Sequence, residues 1–265
     1  MPSHEQNYQI WNNSYDWSRY QGDEWSAKWG RTDMQWYWTI YPRIRYHLPA
    51  QTILDIGPGQ GRWTRYLLQH CDNMVLVDLS EKCINACRRR FGEDRVLYKV
   101  GSGDSIDFLE DESIDFAFSW ETLVYAEIEA VRGYLEGLAR KLKPDGRAFL
   151  HHSNLASYSA YFDLTIKMPK RLRDFLKTRG LLDYDQWRAR SVTAELFARC
   201  AEEVGLRVTT QELIPWGGRR LIDCFTTLTR SSGGASPRFK KNPNYHTRAY
   251  HIQELSWLYG EGVPW

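Results

Sequence analysis

A chain of 265 residues has room for one large domain, or one domain with additions, and its 42% hydrophobic and 26% charged content is that of a globular protein with a sizeable core. A formal net charge of +2 gives no whole-chain bias toward nucleic acid or a membrane surface, and no apolar run approaches the roughly 20 residues of a membrane span. The polar start, Met1 to Ile10, lacks the apolar stretch of a secretion signal, and five cysteines without a CxxC pair read as reduced thiols of a cytoplasmic protein.

Residues 1–50 are crowded with aromatics: six of the 12 Trp and six of the 16 Tyr lie there. Ser26 to Tyr46 has Trp29, Trp36, Tyr37 and Ile40 near helical spacing, so this stretch reads as a helical cap whose rings pack on the domain or, as the alternative, form a surface partly facing a substrate. The pattern then changes. Thr52 to Ile56 reads as a buried strand ending in a glycine turn, Arg62 to Cys71 as a helix, Met74 to Asp78 as a second strand, and Ser80 to Phe91 as a helix with Ser80 as N-cap. Cys83 and Cys87 share a face of that helix and read as packing, since no further metal ligand lies near them. Val96 to Val100 and Ile114 to Trp120 are further strands. Ala126 to Leu142 is a helix stopped by the Lys143-Pro144-Asp145-Gly146 turn, and Arg147 to His152 is a fifth strand. After an insertion come a helix, Thr193 to Val204, and two strands, Leu206 to Ile214 and Leu221 to Thr229. Ser231 to Pro237 reads as a linker, and the polar tail holds a short helix around Ile252 to Tyr259.

Strands alternating with helices imply βαβ units with right-handed crossovers: an α/β, doubly wound, mostly parallel seven-stranded sheet. Three parts follow: a cap over 1–50, a domain over 51–230 with residues 154–192 inserted as a lid, and a tail over 231–265.

Ile53-Leu54-Asp55-Ile56-Gly57-Pro58-Gly59-Gln60-Gly61 carries the strongest signal. Alternate glycines let backbone approach a ligand at the carboxyl end of the first strand. Asp55 suits an ammonium and would repel a pyrophosphate. Arg62 stands where GxGxxG needs its last glycine, which argues against a dinucleotide oxidoreductase. Asp78 ends the second strand 19 residues after Gly59, where a carboxylate accepts ribose hydroxyls.

These residues resemble class I S-adenosylmethionine-dependent methyltransferases over Thr52 to Thr229, with Pro58 replacing a more usual small residue. The resemblance implies a Rossmann-like methyltransferase fold and S-adenosyl-L-methionine as cofactor. It implies that Asp55, Gly57 and Gly59 line the methionine and ribose, that Asp78 and Leu79 grip ribose and adenine, and that Asp104 and Ser105 reach the adenine. Phe118 to Val124 and His151 to Leu155 look like methyltransferases of surface-glycan and natural-product sugar modification, which implies Trp120 and Glu121 beside the transferred methyl.

Methyl transfer to a hydroxyl wants a positioned base. His151 and His152 end the fifth strand on the ligand edge; successive residues face opposite ways, and His152 is favoured as the base. Glu121 is the alternative base or an anchor for the acceptor. No spacing demands a metal. The expected acceptor is a hydroxyl of a sugar, glycan or related small molecule, phosphorylated or not. An amine acceptor, or a non-catalytic protein that only binds the cofactor, are the alternatives. Nucleic acid is not expected. Oligomeric state is not legible.

Lys167, Lys170, Arg171, Arg173, Lys177 and Arg179 surround Leu172, Phe175 and Leu176 at helical spacing, an amphipathic helix whose cations sit in solvent or meet a phosphate on the acceptor. Trp187 and Arg188 close that segment and face the acceptor. Arg43, before the first strand, approaches the cofactor carboxylate in this reading.

Overall fold

A computed structural model describes residues 4–17, 21–230 and 233–259. Tyr20 of the aromatic cap, Ser231 and Ser232 of the expected linker, and the tail beyond residue 259 lie outside the described residues.

The amino-terminal segment contributes α1 (His4–Tyr8), prolonged by a helical turn over Gln9–Ser14, a 3-10 stretch Asp23–Trp29, and α2 (Thr32–Gln35), which continues through a wider turn, Trp36–Ile40, into α3 (Tyr41–Ile44). The alternating part follows as β1 (Ala50–Ile56), α4 (Thr64–Leu67), β2 (Cys71–Asp78), α5 (Glu81–Phe91), β3 (Val96–Val100), β4 (Ile114–Ser119), α6 (Ile128–Lys141) and β5 (Leu142–Ser153). Two helices, α7 (Ser159–Lys167) and α8 (Lys170–Thr178), form the insertion. Then come α9 (Ala194–Glu203), β6 (Arg207–Ile214), β7 (Asp223–Thr229), β8 (Arg238–Lys241) and α10 (Tyr245–Tyr259).

The strands form one eight-stranded sheet in the order β3-β2-β1-β4-β5-β7-β6-β8. All neighbours are parallel except β7, which runs against both β5 and β6. The order reverses direction between β1 and β4, so the crevice beyond their carboxyl ends is where an open α/β sheet takes a ligand. This is a Rossmann-like methyltransferase fold. The strand count corrects the expected seven. The extra strand, β8, is wholly exposed and polar, and pairs with β6 through Thr210 and Arg238. Without an apolar alternation it leaves no trace in the sequence.

Side chains alternate between two cores. Ile53, Leu76, Phe116, Phe118 and Phe149 point to the face covered by Trp29, Trp36, Ile40 and Ile44 of the amino-terminal cap. Leu54, Val75, Ala117, Ala148 and Leu150 point to the face covered by α6 and α9. The helices start where the sequence expects. The Ser80 hydroxyl accepts the Cys83 amide at 3.3 Å and the Thr193 hydroxyl accepts the Leu196 amide at 2.9 Å. The helix read over Arg62 to Cys71 shrinks to α4 and a 3-10 turn, Leu68–His70, because β2 already begins at Cys71. Tyr245 at the head of α10 is buried against Trp29 and Trp216, so the carboxyl tail closes over the cap and is longer in helix than the expected Ile252 to Tyr259.

Candidate cofactor and acceptor site

A cavity of about 1110 Å³ opens at the carboxyl ends of β1, β2 and β4. That is at the top of the range of small-ligand sites, roughly 300–1,000 Å³, and leaves room for a cofactor and a second molecule.

One end is built on the glycine turn. Gly57 and Gly59 both have positive φ, at 70° and 57°. A Cβ on Gly57 would stand 2.1 Å from the Thr122 side chain and one on Gly59 3.0 Å from the Trp17 indole, so glycine is required by space as well as by conformation. The Gly57 amide donates to Val77 O at 2.8 Å, and the Thr122 hydroxyl donates to Gly57 O at 2.9 Å. Asp78 staples the turn: Oδ2 accepts the Gly59 amide at 3.0 Å and Oδ1 the Ser80 amide at 2.8 Å. Burial pushes the Asp78 carboxyl up to about 6, against those two amide bonds. Asp55 is buried and takes the Thr64 hydroxyl at 2.8 Å. Burial raises its carboxyl to about 7, and the nearby Asp78 adds to the rise.

These features fit S-adenosylmethionine. A desolvated carboxylate whose charge is held up by a single hydroxyl is the partner that a methionine ammonium needs, and two glycines with no side chain leave the turn open to a ligand's backbone-like edge. Leu79 and Asp104 lie on the same wall. Ser105 does not. Its hydroxyl accepts the Asp107 amide at 3.1 Å and caps the loop, which corrects the expected reach toward an adenine.

The other end is aromatic. Trp11, Tyr15, Trp17 and Trp25 pack edge to face with centroids 4.9–6.4 Å apart, and Trp11 reaches Tyr125 at 5.4 Å. Trp120 and Trp216 complete the wall. The rings of the cap divide between two places: Trp29 and Trp36 are core, while Trp11, Trp17 and Trp25 line the cavity.

Three cations and two carboxylates sit around this end. Arg62, the residue that broke the dinucleotide pattern, pairs with Glu121 and lies over the Trp63 ring at 4.6 Å. Arg188 grips Asp223 with two bonds, 2.9 and 2.8 Å. Lys28 lies 4.6 Å over the Trp216 ring and forms no salt bridge among the described residues. Burial lowers the Lys28 pKa, and Arg188 lowers it further, against the opposing pull of Glu121. Burial would raise the Glu121 carboxyl, but Arg62, His151 and Lys28 outweigh it and hold it below the ordinary range. Glu121 has φ 57°, and Gln186 and Trp187 on the same cavity wall have φ 51° and 57°. With Gln21 at φ 57°, four non-glycine residues around this one cavity hold left-handed backbone, strain of the kind that gathers at binding sites.

Neither histidine reaches the cavity wall. His151 points to the cap-side core. Its Nδ1 accepts the Glu121 amide at 3.2 Å, so Nε2 carries the proton and donates to Asp223 at 2.9 Å. Burial depresses its pKa although Asp223 opposes this. His152, one residue on, points to the opposite face of the sheet and stacks on Phe197 of α9 at 3.7 Å. Its Nδ1 lies 2.9 Å from Ser153 O and its Nε2 2.7 Å from the Thr226 hydroxyl, and burial drops its pKa to about 3. The placement of both corrects the expectation of a histidine base. Arg43 is also elsewhere: it makes two 2.7 Å bonds to Glu212 of β6 and lies over Phe225, which corrects the expected approach to a cofactor carboxylate. Of the insertion, the loop Tyr184 to Arg188 lines the cavity, while α7 and α8 stand off it. Lys28, Arg62, Asp223 and Trp216 had no sequence signal that marked them: each becomes a site residue through contacts with distant elements.

A family model described as a methyltransferase domain matches residues 53–146. The bifunctional biotin biosynthesis protein BioHC of Cellvibrio japonicus is 31% identical over 108 residues, 39% of this chain and 21% of that protein. Nodulation protein S of Rhizobium tropici is 29% identical over 99 residues, 37% of this chain and 41% of that protein. The chain thus spans well under half of the length of these relatives. Among solved structures, N-methyltransferase NodS of Bradyrhizobium japonicum in complex with S-adenosyl-L-homocysteine matches with a TM-score of 0.56 at 14% identity, over 85% of this chain and 97% of that one. Residues 53–146 thus match a methyltransferase domain, and the chain shares the fold of a solved methyltransferase.

Proposed function

We propose that the protein transfers the methyl group of S-adenosylmethionine to a nucleophile on a small acceptor held at the aromatic end of the same cavity. The observation that carries this reading is the continuity of one cavity wall from Asp55, Gly59 and Asp78 to Trp25, Trp120 and Trp216. When bound, the cofactor supplies an electrophilic methyl on its sulfonium. The chain's own part is alignment and exclusion of water. The Trp17 indole over Gly59 and the rings of Trp11, Tyr15 and Trp25 cover the cavity from the side of the cap.

A sugar or glycan hydroxyl is the acceptor we favour. Flat indole faces suit the apolar face of a sugar ring, Glu121 is an ionised hydrogen-bond acceptor on the cavity wall, and Lys28 offers an ammonium to a phosphate or carboxylate on the acceptor. Glu121 then orients the hydroxyl and takes its proton as the bond to methyl forms. An amine acceptor is the second reading. It is favoured by the removal of both histidines from the cavity, since a neutral amine needs no base. Calorimetry with S-adenosylhomocysteine tests the cofactor half, and absence of binding would sink it. A screen of labelled S-adenosylmethionine against sugars, sugar phosphates and amines tests the acceptor, and transfer to amines alone would replace the hydroxyl reading.

A further inference from the structure

The helix α8 has no buried residue, although it is nine residues long and strongly amphipathic. Its apolar stripe, Leu172 and Phe175, is exposed, and it continues into exposed Leu164 and Ile166 of α7 and Leu181 beyond α8. These five side chains are between 46% and 66% exposed. The two helices are tied to each other by the Arg173 guanidinium of α8, which donates to Ile166 O of α7 at 3.2 Å. A monomeric surface rarely leaves such a stripe bare without use.

The charge around the stripe indicates its occupant. From residue 164 to residue 182 the chain has six basic residues, Lys167, Lys170, Arg171, Arg173, Lys177 and Arg179, and one acid, Asp174. This gives the segment a charge of +5 in a chain whose total is +2, so the rest of the chain is −3. On a helical wheel Arg171 and Arg173 flank the stripe on its two sides, and Asp174 sits on the far side, tied to Lys170 at 2.7 Å. Leucine and phenylalanine between flanking cations is the pattern of a helix that lies in the plane of an anionic bilayer, burying its apolar face at the headgroup boundary. A nucleic acid would not explain the exposed leucines, and the net-acidic remainder of the chain offers it no continuation.

We infer that α7 and α8 form a docking face for an anionic membrane surface. The face adjoins the cavity: Lys177 lies 4.8 Å over the Tyr184 ring, and Tyr184 and Trp187 are at once exposed and part of the cavity wall. Aromatic side chains with a polar edge prefer that interfacial depth. Docking therefore brings the cavity mouth to the headgroups. The docking itself does not rest on the methyltransferase reading.

Co-sedimentation of the full chain with phosphatidylcholine vesicles, with and without phosphatidylglycerol, tests it. Binding is expected to the anionic vesicles and not to the neutral ones, and to weaken with added salt. Leu172→Ser with Phe175→Ser should abolish it. Neutralising the exposed Lys167, Lys170 and Arg171 to Gln should lower partitioning by about 100-fold, taking about fivefold per cation. S-adenosylhomocysteine affinity and melting temperature should stay unchanged in both variants, because the altered side chains lie on the surface. No binding to anionic vesicles, or binding that survives both sets of substitutions, would overturn the inference. A concentration-dependent dimer without vesicle binding would give the face to a second copy instead.

Discussion

Glu121 and Arg62 form a salt bridge inside the cavity, joining the segment that leaves β4 to the segment that leaves the glycine turn. Neither side chain is more than 16% exposed, and both lie on the cavity wall. Glu121→Gln keeps the shape and removes the charge. It should lower kcat by about 100-fold, the low end of what a positioned proton acceptor contributes, with little change in S-adenosylhomocysteine affinity. Unchanged kcat at saturating acceptor would remove Glu121 from the chemistry.

The proposed contact between Asp55 and the cofactor's ammonium makes binding pH-dependent. Its carboxyl is raised to about 7 and must ionise to meet an ammonium. S-adenosylhomocysteine affinity should thus rise with pH and level off above 7, falling by up to about tenfold per unit below it. Asp55→Asn should flatten that profile and weaken binding at pH 8. The same raised pKa means the unliganded fold retains a proton that the unfolded chain releases near 4. The resulting penalty grows from pH 4 to pH 7, by about 1.4 kcal/mol per unit. Unliganded Asp55→Asn should accordingly melt higher than the parent at pH 8, a gain at the expense of function.

His152→Ala should destabilise the fold by about 2–4 kcal/mol, through the loss of its stack on Phe197 and its bond to Thr226, and leave kcat of the folded fraction unchanged. Its folded pKa, about 3, lies below the unfolded value of about 6.5. Its contribution is therefore present above 6.5 and is lost as pH falls toward 3. Chemical denaturation between pH 7 and 4 checks this. A variant that keeps its stability but loses turnover would restore His152 as the base.

Lys28→Met should raise KM about tenfold for a phosphorylated or carboxylated acceptor and leave a neutral one unaffected. Because burial lowers the Lys28 pKa, affinity for the anionic acceptor should fall with rising pH at a lower pH than an exposed lysine would give. Steady-state kinetics on paired neutral and anionic acceptors separates the two outcomes.

Asp223→Asn should cost about 3–5 kcal/mol, measured by chemical denaturation, because it leaves the buried Arg188 guanidinium without its carboxylate.

The fold was legible where burial imposes a period. β1, β2, β4 and β5 are apolar runs because both faces of each are covered, and Ser80 and Thr193 mark helix starts through their own side chains. β8 was invisible because it pairs through backbone alone. The cofactor wall was legible because Asp55, the glycines and Asp78 lie at short, fixed spacings on consecutive strand ends. The acceptor end was not. Adjacent His151 and His152 look equivalent in the sequence, yet the pleat sends them to opposite cores, and what decides their role is Asp223 and Phe197, 72 and 45 residues away by the numbering. Lys28 and Arg62 have no pattern of their own and acquire meaning when the cap folds down on the sheet.

The antiparallel strand β7 has a further consequence, for the order in which the molecule can be completed. β6 is synthesised before β7 but lies outside it, and it meets β5 only through β7. On the ribosome, β6 must wait unpaired while β1 to β5 can already associate, and β6 joins them when residues 223–229 arrive, before β8 completes the edge. The same arrival delivers Asp223 to His151 and Arg188. One strand insertion therefore joins β6 to the sheet and fixes the geometry behind Trp120 together, so a nascent chain stalled before residue 223 would have the glycine turn but not the Asp223 contacts behind Trp120.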